Sequence, residues 1–449
     1  MSFKNIEKWS FGYWLLKNYS RLFHHFFYSE IFVKGRGNIP KNKPFIFALN
    51  HQNALMDALA VLYTYHGQMI FLARADIFKK PVVAKLLYFL KILPIYRIRD
   101  GYSSLQKNDE IFDKTIDVLK SGKPLAMLPE GTHEALKHLR PFKKGLARIA
   151  FAANEALGND AGLSIIPVGI DYDNYYNFNN KLIVTYGKPI PVSDFTEIYK
   201  ENPAKGLIDM TNTVHKALTN LMIHVENPVQ YQTIIGLAWL YALNSTNRIK
   251  NYYQRFLQLK EMVSHFNHYS SQNPDEMKIL EQDNTRYYAF LKGIRLSNIT
   301  TINNKFDLIG NLLESILLII LLPVFFAGYL LNILPYLSGI FATKKIEDKV
   351  FHNSVKFTIL QFIYPIYTII LAVTFYLFIH DGMFSLFFLV GLPLTGLFAF
   401  HYLQESKNLF MKWHYFSLLL RQDERLMNLL VLKKELLKKI SNIIANKSM

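Results

Sequence analysis

Short apolar runs alternate with helical patterns over residues 31–190. Runs with the length and composition of strands lie at 31–33, 44–49, 69–73, 125–128, 164–168 and 182–186. Segments with helical spacing of apolar residues lie near 54–66, 80–90, 106–121 and 143–157. This alternation predicts an α/β domain with a mostly parallel or mixed sheet, and the functional groups of such a domain gather at strand ends.

The pattern changes after this domain. Residues 206–305 are polar with helical spacing, and three long apolar stretches follow at 308–334, 357–379 and 383–403. Each stretch is long enough to cross ~30 Å of hydrocarbon. We therefore expect an α/β domain (31–205), a helical extension (206–305), transmembrane helices (306–403) and a basic amphipathic helix (404–449), which can lie on an anionic membrane or pair with another helix.

Residues 1–30 mix aromatic residues with Lys and Arg. This mixture is typical of an amphipathic helix in the lipid headgroup region, and it also suits a helix that covers the core of the domain. The sequence favours neither. His24 and His25 are expected at the surface, because nothing around them has the spacing of a metal site.

The lysines between the first two apolar stretches bear on topology. They are Lys344, Lys345, Lys349 and Lys356. Three crossings with a cytoplasmic catalytic domain would place these lysines outside, against the tendency of positive loops to stay cytoplasmic. A re-entrant hairpin broken at Pro323 would keep the loop, the tail and the domain on the cytoplasmic side, and we prefer it. Glu314, at membrane depth, then needs a partner or water.

Composition agrees with an integral membrane protein. Of the 449 residues 51% are hydrophobic, including 35 Phe and 27 Tyr, and the formal charge is +17. Such a charge suits anionic lipids or nucleic acid, but no nucleic-acid-binding motif is present, so we expect membrane lipids as partners and no nucleic acid. The absence of cysteine excludes disulfides, thiolate metal sites and a thiol nucleophile. The sequence does not indicate the oligomeric state.

A candidate catalytic pair lies where the predicted strand 44–49 meets the next helix. His51 follows the strand, Asn53 can cap the helix, and Asp57 lies in its first turns. A neutral imidazole can take a proton from an attacking hydroxyl, while a carboxylate on its other nitrogen fixes the tautomer and stabilises the imidazolium. Alternatively, His51 is a turn residue and Asp57 a first-turn carboxylate favoured by the helix dipole.

Four blocks of sequence carry a family resemblance. They are His51 with Asp57, the apolar segment 93–97 that ends in Arg97, Pro-Glu-Gly-Thr at 129–132 with Phe-Lys-Lys-Gly at 142–145, and the apolar segment 165–169 with a central Pro. In this order they resemble the glycerophospholipid acyltransferase family, whose members move a fatty acyl group from a thioester to glycerol 3-phosphate or its monoacyl derivative. The resemblance covers about residues 30–190.

The resemblance implies roles for these residues. His51, oriented by Asp57, would be the general base. Arg97 and Lys143 would hold the acceptor phosphate. Glu130 would orient the acceptor hydroxyls, while Gly131 allows a close backbone approach and the Thr132 hydroxyl contacts phosphate. It implies no cofactor and no metal, with acyl-CoA or acyl carrier protein as the acyl donor.

Two residues outside these blocks are expected to have other roles. Arg74 and Asp76 are expected to form a structural ion pair or cap, and Lys137 is expected on the solvated surface.

Two positions depart from the family pattern. Five residues separate His51 from Asp57 where the family has four, so the pair needs a looser turn to meet; this longer spacing resembles yeast-type glycerol-3-phosphate acyltransferases. His133 stands where the family usually has Arg. These departures leave open a non-catalytic membrane scaffold or lipid-binding protein that keeps the fold, and an acyltransferase for a non-phosphorylated acceptor.

Overall fold

The structure is a computed structural model that describes residues 3–96, 107–244, 251–296 and 306–445. It divides into two compact units. The first contains Met1–His224 together with Ile346–Phe357, and the second contains Val225–Lys345 together with Thr358–Met449.

The first unit is built on one mixed sheet. Its strands are β1 (Tyr28–Lys34), β2 (Phe45–Leu49), β3 (Ile70–Arg74), β4 (Ile92–Ile95), β5 (Leu125–Met127), β6 (Ser164–Tyr172), β7 (Asn180–Tyr186) and β8 (Ile190–Pro191). The spatial order is β1-β7-β6-β2-β5-β3-β4, with β8 beside β6. All pairs are parallel except those of β6 with β7 and with β8. The predicted α/β class with a mostly parallel or mixed sheet is therefore confirmed.

The six predicted strands are all present, and β4 and β8 are additional. The strand β4 contains Pro94 and lies at the edge of the sheet, where a residue without an N–H is tolerated. Its four residues are too few for an apolar run to identify a strand on its own.

Helices cover the sheet and supply its core. They are α1 (Phe11–Phe27), α2 (Leu55–Thr64), α3 (Pro81–Phe89), α4 (Lys107–Lys120), α5 (Gly145–Leu157), α6 (Thr196–Glu201) and α7 (Pro203–Thr219). The four predicted helices correspond to α2, α3, α4 and α5. Apolar residues of α4, α5 and α7 form one buried cluster with β2, β3, β5 and β6, and burial of this apolar area stabilises the domain.

Helix α1 has two apolar sides. Its inner side buries Tyr13, His24 and Phe27, whereas Trp14 and Phe26 on the outer side are exposed. The helix thus covers the domain and also presents aromatic surface, as both interpretations required. The expected surface position of His24 is wrong: its ring is fully buried between aromatic rings, and this burial lowers its pKa to about 3.

The second unit is helical. Its helices are α8 (Tyr231–Asn244), α9 (Tyr252–Gln272), α10 (Pro274–Gly293), α11 (Leu308–Thr343), α12 (Phe351–Ile379, from Thr358 onward), α13 (Gly382–Leu420) and α14 (Glu424–Ala445). Helix α14 packs on α10 and α8 through its apolar face. Of the two alternatives for the tail, the structure therefore shows pairing with other helices.

Three helices, α11, α12 and α13, are long and apolar enough to cross a membrane. The expected break at Pro323 is wrong, because α11 is one helix of 36 residues that continues through Pro323. Pro335 lacks an N–H, so the carbonyl of Leu331, four residues earlier, loses its partner within the helix. This carbonyl instead accepts a hydrogen bond from the Tyr367 hydroxyl at 2.7 Å. Glu314 has the partner it needs in Lys412, at 2.7 Å.

The directions of these helices follow from their contacts. Helices α12 and α13 form an antiparallel hairpin, in which Phe375 packs on Phe384 and Phe388. Helices α11 and α13 are also antiparallel, since Asn332 contacts Thr395 and Glu314 contacts Lys412. Helix α12 contacts α11 through the Tyr364 hydroxyl, which donates to Asn332 at 2.6 Å.

Three of the predicted domain boundaries lie inside helices or strands. Those at 30, 205 and 403 fall inside β1, α7 and α13 respectively. Composition changes where burial or hydropathy changes, and one helix or strand can continue across such a point.

Candidate active site

The end of β2 is tied to its neighbour β6. The Asn50 side chain donates to the carbonyl of Ile170 at 2.9 Å and accepts from the Ile170 N–H at 2.7 Å. This pair of hydrogen bonds fixes the backbone just before His51. The site therefore starts at the carboxyl end of a central parallel strand, as expected for an α/β domain.

The turn after His51 absorbs the additional residue of the His-to-Asp spacing. Ala54 has φ 45° and ψ −125°, a conformation that favours glycine, and it precedes α2 as the N-cap. The predicted cap at Asn53 is wrong: its side chain is buried, and neither of its polar atoms has a hydrogen-bond partner in the described structure. The looser turn that the spacing required is confirmed.

His51 and Asp57 meet. His51 Nδ1 lies 3.0 Å from Asp57 Oδ2, and the side chains are 17% and 0% exposed. The same oxygen accepts the backbone N–H groups of Gln52 and Asn53, both at 2.7 Å, and Oδ1 accepts the Tyr172 hydroxyl at 3.0 Å. A buried carboxylate acceptor places the imidazole proton on Nδ1 and leaves Nε2 as the basic nitrogen.

Glu130 holds the backbone on the other side of His51. Its Oε1 accepts the His51 N–H at 2.6 Å, and its Oε2 accepts the N–H and Nε–H of Arg140 at 3.1 and 3.3 Å. Burial raises the pKa of this carboxyl group, and the hydrogen bonds oppose that shift. Both oxygens are thus used within the protein, and the expected contact of Glu130 with an acceptor hydroxyl stays a prediction.

Three other residues of the expected phosphate site lie near Glu130. Gly131 has φ 74°, as its place in a tight turn requires, and Thr132 is exposed. Lys143 is exposed just before α5, and its Cγ would lie 3.8 Å from a Cβ built on Gly131. Arg97 lies outside the described residues. Lysine and backbone amides near the start of a helix can bind an anion. The contacts of Gly131, Thr132, Lys143 and Arg97 with a phosphate stay predictions.

Two pairs outside the expected site are now defined. Arg74 forms the expected ion pair with Asp76. The expected surface position of Lys137 is wrong: it is 6% exposed, pairs with Asp171 at 2.7 Å and donates to the Tyr172 carbonyl. Asp171 is 34 positions from Lys137 in the sequence, so the local pattern could not predict this pair. Asp171 precedes Tyr172, whose hydroxyl donates to Asp57, and Lys137 therefore stabilises the strand that carries this donor.

Comparison with known proteins identifies relatives of the domain that contains this site. Residues 30–171 match the model of the family described as Acyltransferase. The domain that these residues form belongs to the acyltransferase family. The match contains the His51–Asp57 pair, Glu130 and most of β6, and thus covers the part of this acyltransferase domain that carries the expected site.

Relatives of this acyltransferase domain include a 1-acyl-sn-glycerol-3-phosphate acyltransferase of Borreliella burgdorferi, 30% identical over 154 residues, which cover 34% of this chain and 54% of that protein. Glycerol-3-phosphate O-acyltransferase 2 of Saccharomyces cerevisiae is 28% identical over 136 residues, 30% of this chain and 18% of that protein. The chain thus spans about half the length of the first relative and less of the second.

A solved structure is also similar. It is a 1-acyl-sn-glycerophosphate acyltransferase of Thermotoga maritima, with 23% identity and a TM-score of 0.33 over 46% of this chain and 79% of that one.

Proposed function

We propose that this protein is a membrane acyltransferase of phospholipid synthesis, which moves a fatty acyl group from an acyl thioester to a hydroxyl of glycerol 3-phosphate or a lysophospholipid. The contact of His51 Nδ1 with the buried Asp57 carboxylate carries this proposal. Two relatives are named for such acceptors. Acyl-CoA or acyl carrier protein would be the donor.

The reaction needs only proton transfer and positioning from the protein. His51 Nε2 takes the hydroxyl proton while the hydroxyl oxygen attacks the thioester carbonyl carbon. The tetrahedral intermediate expels the thiolate, which takes the proton from the His51 imidazolium, so the products are an ester and a free thiol. Asp57 keeps the imidazole in one tautomer and stabilises its charged form.

The acceptor would lie across the turns that follow β2 and β5. Lys143 and Arg97 would hold its phosphate, and the Gly131 backbone and Thr132 hydroxyl would line the same place. General-base assistance typically contributes ~10²–10⁴-fold, so these positioning contacts must supply much of the remaining acceleration.

The non-catalytic alternative loses its main support. It assumed that the longer spacing separates the imidazole from the carboxylate, whereas the two groups are 3.0 Å apart. It still makes a distinct prediction, which is lipid binding without turnover.

We propose further that the catalytic domain faces the cytoplasm. Three successive crossings would make α11 and α13 parallel, but their contacts are antiparallel. Residues Ile346–Phe357 also fold within the first unit, so the chain returns to the side of that unit after α11. We infer that α12 and α13 cross as a hairpin and that the lysines before α12 lie on the cytoplasmic face.

The test is acyl transfer by the full-length protein in lipid or detergent. A radiolabelled long-chain acyl thioester, as acyl-CoA and as acyl carrier protein, is offered with glycerol 3-phosphate or with lysophosphatidic acid. We expect product with one acceptor, and at least about 100-fold less with His51→Ala. Product that persists in the variant would contradict the role of His51. No product with any combination, alongside retained lipid binding, would favour the non-catalytic alternative.

A further inference from the structure

A second imidazole borders the same space as His51. The rings of His51 and His133 meet edge to face, with centroids 5.2 Å apart and planes at 68°. The side chain of His133 is 14% exposed, so it is confined yet reachable from solvent. An acceptor whose hydroxyl lies at His51 would place its other polar groups within reach of His133.

A carboxylate from a remote part of the chain fixes His133. His133 Nε2 lies 2.7 Å from Asp348 Oδ2, although 215 residues separate them. Asp348 Oδ1 accepts the N–H of Val350 at 3.0 Å, and the ring of Phe351 packs at 88° on that of His133, 4.8 Å between centroids. The imidazole is thus held by a hydrogen bond and by an aromatic ring.

The segment that carries Asp348 is an anchored part of the first unit. Asn353 is 1% exposed and donates to the Tyr175 carbonyl at 2.6 Å, and the Tyr175 hydroxyl donates to Gln52, the residue after His51. Phe357 is buried against Phe27. Asp348 therefore reaches His133 from a fixed backbone, and its position follows from the packing of the whole segment.

The chemistry of this arrangement suits an anion. A carboxylate in contact with one ring nitrogen stabilises the imidazolium, which donates from both nitrogens. Nε2 is the nitrogen that contacts Asp348, so Nδ1 is the ring nitrogen that this contact does not use. When this ring is protonated, its Nδ1–H is the donor that Asp348 does not use.

The other charged groups nearby do not neutralise that N–H. Arg140 is bound to Glu130 and to the Thr132 carbonyl, and the Lys143 side chain lies beside Gly131. His352, in the anchored segment, donates from Nε2 to the Ile346 carbonyl and acts on Asp348 only through its charge.

We propose that Asp348 is a positioning residue of the active site, which fixes the His133 ring so that its protonated form binds a phosphate oxygen of the acceptor through Nδ1–H. The inference rests on the proposed function and narrows it, because it assigns the acceptor a phosphate group. It also gives His133 a role as a phosphate ligand, so the departure at this position does not indicate a non-phosphorylated acceptor.

The first test compares Asp348→Asn with Glu347→Gln in the full-length protein. Asparagine can still accept from Nε2 but lacks the charge, whereas Glu347 is an exposed neighbour with no contact to His133 in the described structure. We expect Asp348→Asn to raise the KM for the acceptor about tenfold and to change kcat less than about twofold. Glu347→Gln should change neither.

The double variant His133→Arg/Asp348→Asn separates charge from architecture. A guanidinium is charged without a carboxylate partner, so the acceptor KM should return to within about threefold of the original value. If Asp348 only anchored the segment, His133→Arg would not restore KM, and the proposal would be overturned. A fall in kcat with unchanged KM would also overturn it, since that pattern indicates contact with the developing oxyanion.

Calorimetric binding without any thioester distinguishes this inference from the proposed function. The probes are sn-glycerol 3-phosphate and lysophosphatidic acid. If the protein transfers no acyl group but Asp348→Asn weakens the binding of either probe about tenfold, the proposed reaction fails and the phosphate contact stands. If binding of both probes is absent, or is equal in the original protein and the variant, the phosphate contact is refuted whether or not acyl transfer occurs.

Discussion

The two histidine–aspartate pairs of the first unit differ in how their carboxylates are held. Asp57 is fully buried and accepts four hydrogen bonds, whereas the side chain of Asp348 is 48% exposed and accepts two. Burial of a charge is costly unless hydrogen-bond donors compensate it. The four donors therefore stabilise the ionised form of the Asp57 carboxylate and fix its orientation. Solvent screens Asp348, so its effect on His133 is smaller and can be removed separately.

The largest effect is expected at the buried pair. Asp57→Asn keeps an oxygen for the N–H groups of Gln52 and Asn53, but removes the charge that stabilises the His51 imidazolium. We expect kcat to fall about 10²–10⁴-fold. Steady-state kinetics with the active acceptor measures this change. The acceptor KM should stay nearly constant, in contrast with the Asp348 variant.

A matched control for this variant is Asp113→Asn, since Asp113 is an exposed carboxylate on α4. It should leave kcat unchanged. If Asp57→Asn loses less than tenfold in kcat while circular dichroism shows the native fold, the buried carboxylate does not assist the base, and the contrast between the two pairs is lost.

The difference between the pairs also decides what the sequence could predict. His51 and Asp57 are six positions apart at a strand-to-helix junction, so local pattern and family resemblance were sufficient to identify that pair. Asp348 lies 215 residues from His133, in a lysine-containing segment between apolar helices, where nothing in the local pattern indicates a contact with the sheet. Only the fold brings these two residues together.

Burial was the other property that sequence could not supply. Lys137 lies in a basic region, and its pairing with Asp171 depends on the path of the loop after β5. His24 lies on a helix with two apolar sides, and the choice of the buried side depends on the aromatic residues of other elements. The strands were predicted well, because continuous apolar runs report burial on both faces of a sheet.

A smaller loss of kcat is expected at Tyr172, which contacts the Asp57 carboxylate. Tyr172→Phe removes the hydroxyl that donates to Asp57 Oδ1 at 3.0 Å and leaves that buried oxygen without this donor. We expect kcat to fall up to about tenfold, the acceptor KM to stay constant, and the free energy of unfolding to fall by about 1–3 kcal/mol.

Tyr175→Phe is the matched control, because the Tyr175 hydroxyl donates to the Gln52 side chain and not to Asp57. Its kcat should stay within about threefold of the original value. An equal loss of kcat in both variants would show that general loosening of the strand, and not the donor to Asp57, causes the effect.

The smallest effect is expected at the turn that brings the buried pair together. Ala54 has φ 45° and ψ −125°, which costs about 1–3 kcal/mol for a residue with a Cβ. Ala54→Gly should therefore raise the free energy of unfolding by about 1 kcal/mol after the larger chain entropy of glycine is deducted. Ala58→Gly, inside α2, should instead lower it by about 1 kcal/mol. Unfolding in denaturant measures both changes.

We expect Ala54→Gly to leave kcat unchanged, because three donors to Asp57 Oδ2 fix the pair independently of the strained residue. A large loss of kcat with increased stability would mean that the strained turn itself holds His51 in its reactive position, and that the buried pair is less rigid than its hydrogen bonds indicate.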